Sequence, residues 1–339
     1  MKSLLIIGTG GTIAGAAPAA TQTIGYRAGA VSVAQLVLGV PGLAELARIR
    51  TVQPFSIGSQ HMTSTHWLTL AALVRNAQAE PEVDAIVITH GTDTMEETAF
   101  FLDLVTPPGK PVVMTGAMRP VTAVSADGPG NLLAACRFAL DAGAQRRGVL
   151  VAFNDCAFAA AAVTKVHTLR VDAFTARDAA PVAQHVSETV VWRARTGGAR
   201  PSAFAHLVLP DCLPPVALIL QHVDCDETIV DWHLQRGAAG IVIAGSGNGM
   251  LPDPMRAALA RASRNGCRVV RASRVAGGPV VRNAEAEVDD RDDALGFIAS
   301  GFVSPLKARV LLQCCLVAGL DGAAIQQQFQ RSGQDLTEG

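Results

Sequence analysis

The sequence predicts an α/β protein of two domains, the larger at the N-terminus, each with a mostly parallel sheet and flanking helices. Three observations carry this reading. Short aliphatic and β-branched runs recur along the chain, Ala- and Leu-rich stretches lie between them, and 339 residues exceed one ordinary domain. Strands that alternate with helices argue for layers around a parallel sheet, whose sites form where strand carboxyl ends run into loops.

The elements follow in order. LLIIG (4–8), AIVITH (85–90), PVVMTG (111–116) and GVLVAF (148–153) read as buried strands of the first domain. VALILQ (216–221), GIVIAG (240–245) and CRVVRAS (267–273) read as strands of the second. Helical stretches are expected at 65–79, 96–106, 130–143 and 253–265, and VLLQCCLVAGL is a further apolar helical run. Gly/Pro-rich RTGGARPSAF and LPDCLPP place a linker at 196–213, between an N-terminal domain at 1–195 and a smaller C-terminal domain at 214–339. The polar tail from Gln326 is expected to fray.

Composition narrows the function. Hydrophobic residues make up 49% and charged residues 17%, too apolar for a disordered chain. The formal net charge of −1 lacks the basic excess of a dedicated nucleic-acid binder. No run of 18 purely apolar residues suggests a membrane span. Seven cysteines cannot all pair within the chain, no CxxC occurs, and Met1-Lys2-Ser3 runs straight into the first strand. A reduced, cytoplasmic setting is therefore expected, or a periplasmic one if a signal segment has been cleaved.

Each early strand ends in a polar, Gly-bearing motif: GTGGT, HGTDT and GAMRP. The first, Gly8 to Gly15, tempts a dinucleotide-binding reading. The third glycine of that fingerprint falls on Ile13, Pro18 disfavours an immediate helix, and the first acid in the chain is Glu45, too far on for a ribose contact. What remains is a close-approach loop whose glycines leave space beside the Thr12 hydroxyl, as a nucleophile with nearby oxyanion donors needs. A tight turn carrying an ordinary Thr is the plainer account. In the second motif, His90 to Glu97, Thr92 or Asp93 is expected to cap the next helix, with Glu96 completing a capping box. That account does not exclude a site at the cap.

Taken together, GTGGTIAG and HGTDTMEETAFFL closely resemble the bacterial L-asparaginase/glutaminase family. GAMRP, SADGPGNLL (125–133), GSQHM (58–62), VTKVHT (163–168), SGNGM (246–250) and SPLKARVLLQ (304–313) extend the likeness, in family order, over nearly the whole chain. The GAMRP and SADGP segments look like the type II branch.

The resemblance implies that Thr12 attacks a side-chain amide to form an aspartyl ester, which water then releases. It implies a chain of Thr92, Asp93 and Lys165, with Tyr26 beside Thr12 on a loop flanked by Gly25 and Gly29. Tyr26 is the only tyrosine, and Lys165 is one of four lysines. A surface lysine is the plainer account of Lys165; whether it acts as base or electrostatic organiser is open, because burial lowers a Lys pKa and a neighbouring carboxylate raises it. For the substrate zwitterion, the resemblance implies Asp93 for the ammonium, Ser59 and Gln60 for the α-carboxylate, and the Ala117 carbonyl for the amide nitrogen. It implies the Gly11 and Thr92 backbone N–H groups as oxyanion donors. From a neighbouring protomer it implies Asn248 and an acid near 285, Glu285 or alternatively Glu287. Their plainer accounts are a turn asparagine and a solvated loop acid.

The expected activity is thus hydrolysis of L-asparagine to L-aspartate and ammonia, with L-glutamine as a second substrate, without metal or cofactor. The expected assembly is a homotetramer, a dimer of dimers with sites shared between protomers, and no nucleic-acid or membrane partner. A non-catalytic amino-acid-binding or sensing protein on the same scaffold is the alternative. Ala85 stands where the family commonly has glycine, and His61 where an acid is frequent. No HExxH or GxSxG occurs, and His222-Val-Asp-Cys225 reads as a structural turn. DGPGN (127–131) reads as a turn and helix start.

Overall fold

The structure, a computed structural model, describes residues 1–193 and 203–337, with side chains to Gly333. The expected linker begins outside the described residues. The chain divides into two compact units, Met1–His206 and Leu207–Gly339.

In the first unit, strand β1 (Ser3–Gly8) is followed by the short helices α1 (Val33–Leu38) and α2 (Leu43–Leu46), then strand β2 (Arg48–Val52). Helix α3 (Ser64–Ala79), strand β3 (Ala85–Thr89), helix α4 (Met95–Val105), strand β4 (Val112–Thr115), helix α5 (Gly128–Leu140) and strand β5 (Val149–Phe153) complete the alternation. Strands β6 (Cys156–Ala159), β7 (Val163–Lys165), β8 (Phe174–Ala176), β9 (Ala183–Val186) and β10 (Thr189–Trp192) follow.

The main sheet has the order β10-β9-β6-β5-β4-β3-β1-β2. Strands β2, β1, β3, β4 and β5 run parallel; β6, β9 and β10 add an antiparallel extension, and β7 and β8 form a separate hairpin. The alternating patterning of β2 and the short length of β6 to β10 hide them from a search for long apolar runs. Register aligns the ends of the central strands. Gly8 pairs with Thr89, and Thr89 with Thr115. All three polar motifs therefore start at one level on one edge of the sheet.

Strands buried on both faces need cover from both sides. Helix α5 packs on β3, β4 and β5 through a cluster that includes Leu132, Ala135 and Phe138. Helices α3 and α4 pack on each other, with Trp67 stacked on Phe101 at 5.3 Å. The buried Trp67 indole N–H donates to Thr98 Oγ1 at 2.8 Å, as a buried polar group requires.

The second unit is a four-stranded parallel sheet in sequence order: β11 (Val216–Leu220), β12 (Gly240–Gly245), β13 (Arg268–Ser273) and β14 (Phe297–Ala299). Helices α6 (Thr228–Gln235), α7 (Asp253–Arg264), α8 (Asp292–Leu295), α9 (Pro305–Val317) and α10 (Gly322–Thr337) accompany it. His222–Cys225 is a turn, closed by Cys225 N–H to the His222 carbonyl at 3.2 Å.

Over the described residues the tail from Gln326 is helical, not irregular. It forms most of α10, because Ile325, Phe329 and Ser332 fall on one helix face and are buried. Gln326 fixes it: its side chain accepts from Ala299 N–H at 2.9 Å and donates to the Ala299 carbonyl at 3.1 Å. A polar composition concealed an amphipathic period.

Candidate active site

The three motif loops meet by backbone contact, and glycine makes this possible. Gly11 adopts φ 77°, and a Cβ there would sit 2.5 Å from the Gly91 Cα. Only glycine suits both the dihedral and the approach. A Cβ on Gly91 would in turn strike the Ser59 hydroxyl at 2.6 Å. The GTGGT, HGTDT and GSQ segments are thus pressed together above the carboxyl ends of β1 and β3.

These loops and the β7 end enclose a cavity of about 300 Å³. Eight of the residues expected from sequence line it: Gly11, Thr12, Tyr26, Ser59, Gln60, Thr92, Asp93 and Lys165. Buried Ala117 is not in the lining, but its neighbour Met118 is.

Two hydroxyl centres face the cavity. Thr12 Oγ1 lies 2.6 Å from the Tyr26 hydroxyl. Lys165 Nζ donates to Thr92 Oγ1 at 2.9 Å and to Asp93 Oδ1 at 2.7 Å. Because Thr92 accepts from Lys165, its own hydroxyl hydrogen is left to donate. The Lys165 side chain is 15% exposed and that of Asp93 is 59% exposed, so the carboxylate meets solvent while the amine is held beneath it.

The expected helix cap is not formed. Thr94 is the N-cap residue of α4, and its hydroxyl donates to the Ser59 carbonyl at 3.0 Å. Thr92 turns to Lys165 instead. Glu96, expected in a capping box, is buried and its carboxylate accepts from Lys165 N–H at 3.4 Å. The sequence carries three acids in HGTDTMEE, but only the fold shows that Glu96 braces the strand bearing Lys165.

The backbone donors also differ from expectation. Gly11 N–H is engaged with the Ile57 carbonyl at 2.8 Å, so it is not free as an oxyanion donor. Among the described residues the N–H groups of Thr12 and Thr92 have no such partner, and both residues line the cavity. An oxyanion needs donors not already taken. Gly11 contributes space, and the N–H left without a backbone partner beside it is that of Thr12.

Ser59 and Gln60 bring further polar groups to the cavity. Ser59 Oγ accepts from Asp93 N–H at 3.1 Å, which leaves its hydrogen to donate. Gln60 is exposed and folds over Gly58, where a Cβ would come within 2.5 Å of its amide. Asp127 holds the GAMRP turn by accepting from Met118 N–H and Arg119 N–H, each at 2.9 Å. This explains the pairing of GAMRP with SADGP: the acid of one fixes the backbone of the other. Asp127 is also the N-cap residue of α5.

His90 lies beneath the loop, fully buried, and burial pushes its pKa down to about 4. Its Nδ1–H donates to the Gly91 carbonyl at 2.6 Å. The neutral ring is therefore a prop for the loop.

Asn248 and Glu285 belong to the second unit, where they lie on loops joined to each other. Asn248 Oδ1 accepts from Val281 N–H at 2.7 Å, and the Glu285 carbonyl accepts from Arg291 Nε at 3.1 Å. Glu285 is half-buried, whereas Glu287 is exposed.

Among the described residues, no group of three or more His, Cys, Asp or Glu is placed to hold a metal ion, and no helix is long and apolar enough to cross a membrane.

Known proteins agree with this architecture. Residues 3–196 match the model of the asparaginase N-terminal domain, and residues 215–329 that of the glutaminase/asparaginase C-terminal domain. The chain belongs to the asparaginase/glutaminase family. It is 40% identical to L-asparaginase 2 of Escherichia coli over 333 residues, covering 98% of this chain and 93% of that protein. It is 36% identical to the glutaminase-asparaginase of Acinetobacter glutaminasificans, covering 97% of this chain and 99% of that one. Among solved structures, a probable cytoplasmic L-asparaginase from Campylobacter jejuni matches with a TM-score of 0.90 and 38% identity, covering 97% of this chain and 99% of that one.

Proposed function

We propose that this chain is an amidohydrolase that converts L-asparagine to L-aspartate and ammonia, with L-glutamine as a second substrate. The observation that carries the reading is the facing of two hydroxyl centres, Thr12–Tyr26 and Thr92–Lys165–Asp93, across one cavity. Relatives named as asparaginases and glutaminase-asparaginases support the substrates.

In this reading Thr12 Oγ1 attacks the side-chain amide carbon and its proton passes to the hydrogen-bonded hydroxyl network. The oxyanion is received by Thr12 and Thr92 N–H. The C–N bond breaks, the nitrogen takes up a proton and leaves as ammonia, and an aspartyl ester stays on Thr12. Water, relieved of a proton on the Thr92–Lys165 side, then cleaves the ester and restores the Thr12 hydroxyl. Bonded to Asp93 and Thr92 as found, Lys165 acts as an electrostatic organiser of Thr92. Asp93 takes the substrate ammonium through its exposed edge, Ser59 and Gln60 take the α-carboxylate, and the Ala117 carbonyl takes the amide nitrogen. Asn248 and Glu285 of a neighbouring protomer complete the site, in a homotetramer of two dimers. Glu285 is preferred over Glu287 because its backbone is anchored and its side chain half-buried. Seven free thiols support a cytoplasmic setting, although a Haemophilus influenzae relative, 40% identical, is named a probable periplasmic L-asparaginase.

Ammonia release from L-asparagine and L-glutamine by native and Thr12→Ala protein tests the activity. Release by the native protein alone is expected. No release by folded native protein would refute the reading. Activity in a strictly monomeric fraction would refute the shared site.

A further inference from the structure

The second unit places a charge pair inside its sheet, where an apolar pair would ordinarily sit. Arg271 lies in β13 between β12 and β14 and is 3% exposed; Asp292, at the start of α8, is 2% exposed. The pair is bidentate: Arg271 Nε to Asp292 Oδ1 and Nη2 to Oδ2, each 2.7 Å. Taking two charges out of water is costly, and an apolar pair of similar volume often serves stability as well or better. Its use here calls for something that apolar side chains cannot do.

The remaining contacts supply it. Arg271 Nη1 donates to the Asn248 carbonyl at 2.6 Å, and Nη2 donates to the Val281 carbonyl at 2.8 Å. Asp292 Oδ2 accepts from Asn283 N–H at 2.7 Å. The SGNGM loop lies directly on the guanidinium, since a Cβ on Gly249 would meet Nη1 at 3.0 Å. Arg291, next to Asp292, holds the Glu285 carbonyl. The buried pair thereby fixes the loop with Asn248 and the stretch from Val281 to Asn283, and Arg291, next to Asp292 in the chain, carries the hold on to Glu285. A planar fork with its donors set in one plane suits this task, and a lysine does not.

We propose that Arg271 and Asp292 are positioning residues for substrate binding, holding Asn248 and Glu285 in register as one preformed recognition face. This rests on the reading that Asn248 and Glu285 hold the substrate.

The test is steady-state ammonia release with L-asparagine, beside thermal unfolding, for native protein, Asn248→Ala, Arg271→Lys and the double variant Arg271→Met/Asp292→Leu. The double variant removes both charges together and so leaves neither one buried alone. Arg271→Lys keeps a cation for Asp292 but gives up the carbonyl contacts, and carries the test if the double variant does not fold. The expected result is a KM raised about tenfold in both, as in Asn248→Ala, with kcat within about threefold, the signature of lost binding that is uniform between ground and transition states. An unchanged KM in folded variants, with KM raised in Asn248→Ala, overturns the positioning role alone. Unfolding of both, or loss of kcat with no change in KM, marks a purely structural pair and also overturns it. An unchanged KM in Asn248→Ala overturns the substrate-holding reading, and an inactive native protein the hydrolase reading. Either takes this inference down, and both are seen with Arg271 and Asp292 intact.

Discussion

Thr12 Oγ1 and the Tyr26 hydroxyl lie 2.6 Å apart, close enough that one proton serves both oxygens. The Tyr26 ring is seated by a gap at Gly15, where a Cβ would come within 2.8 Å of the ring. Tyr26→Phe keeps that seat and removes the hydroxyl alone. We expect kcat for L-asparagine to fall on the order of 10²-fold or more, with little change in KM or thermal midpoint. A kcat within threefold of native would mean that Tyr26 only lines the cavity.

Lys165 bonds both Thr92 and Asp93. Lys165→Met leaves Thr92 without its donor, and kcat is expected to drop roughly 10²–10⁴-fold. Lys165→Arg should not restore it, because the fork does not place a compact cation between the two acceptors. Circular dichroism must show both variants folded. Recovery of more than half the native rate by the Arg variant would sink the argument that a lysine is required.

The buried central strands were legible because apolar runs of five or so residues are what a doubly covered parallel strand requires. Thr12, Thr92 and Lys165 were placed by motif resemblance, not by periodicity. What stayed hidden depends on partners far along the chain. Glu96 read as a cap, since the hairpin carrying Lys165 lies 69 residues away. Gly11 read as a donor, since Ile57 takes its N–H. Helix α10 read as a tail, since its apolar positions are few. Phe329, fully buried, is the residue that anchors this helix to the sheet side of the unit. Phe329→Ala should cost about 3–5 kcal/mol, measured by urea unfolding; a loss below about 1 kcal/mol would return the segment to a loosely attached tail.

Gly11 is required by shape rather than by chemistry. Its φ is 77°, and a methyl group there would meet the Gly91 backbone at 2.5 Å, where neither loop can yield without moving Thr12 or Thr92. Gly11→Ala is expected to destabilise the protein by about 2 kcal/mol or more and to abolish activity. A fully stable variant that has lost activity would show the loops to be softer than their packing implies.

The acid limb of stability should carry the mark of His90. Burial lowers its pKa from 6.5 to about 4 in the folded protein. Between those values the unfolded chain binds a proton that the folded one refuses, so stability rises with pH across this window and is lost as pH falls through it. The neutral ring is favoured above pH 6.5, and the penalty grows to about 3 kcal/mol by pH 4. His90→Asn keeps a donor for the Gly91 carbonyl but cannot titrate. It should be less stable than native protein at pH 7 because it leaves a cavity, yet lose less stability between pH 7 and pH 4.5. Urea midpoints at the two pH values measure the difference. Equal losses in native and variant protein would mean that His90 takes up its proton without opening the HGTDT loop, and the prop beneath Thr92 would then have to be sought elsewhere.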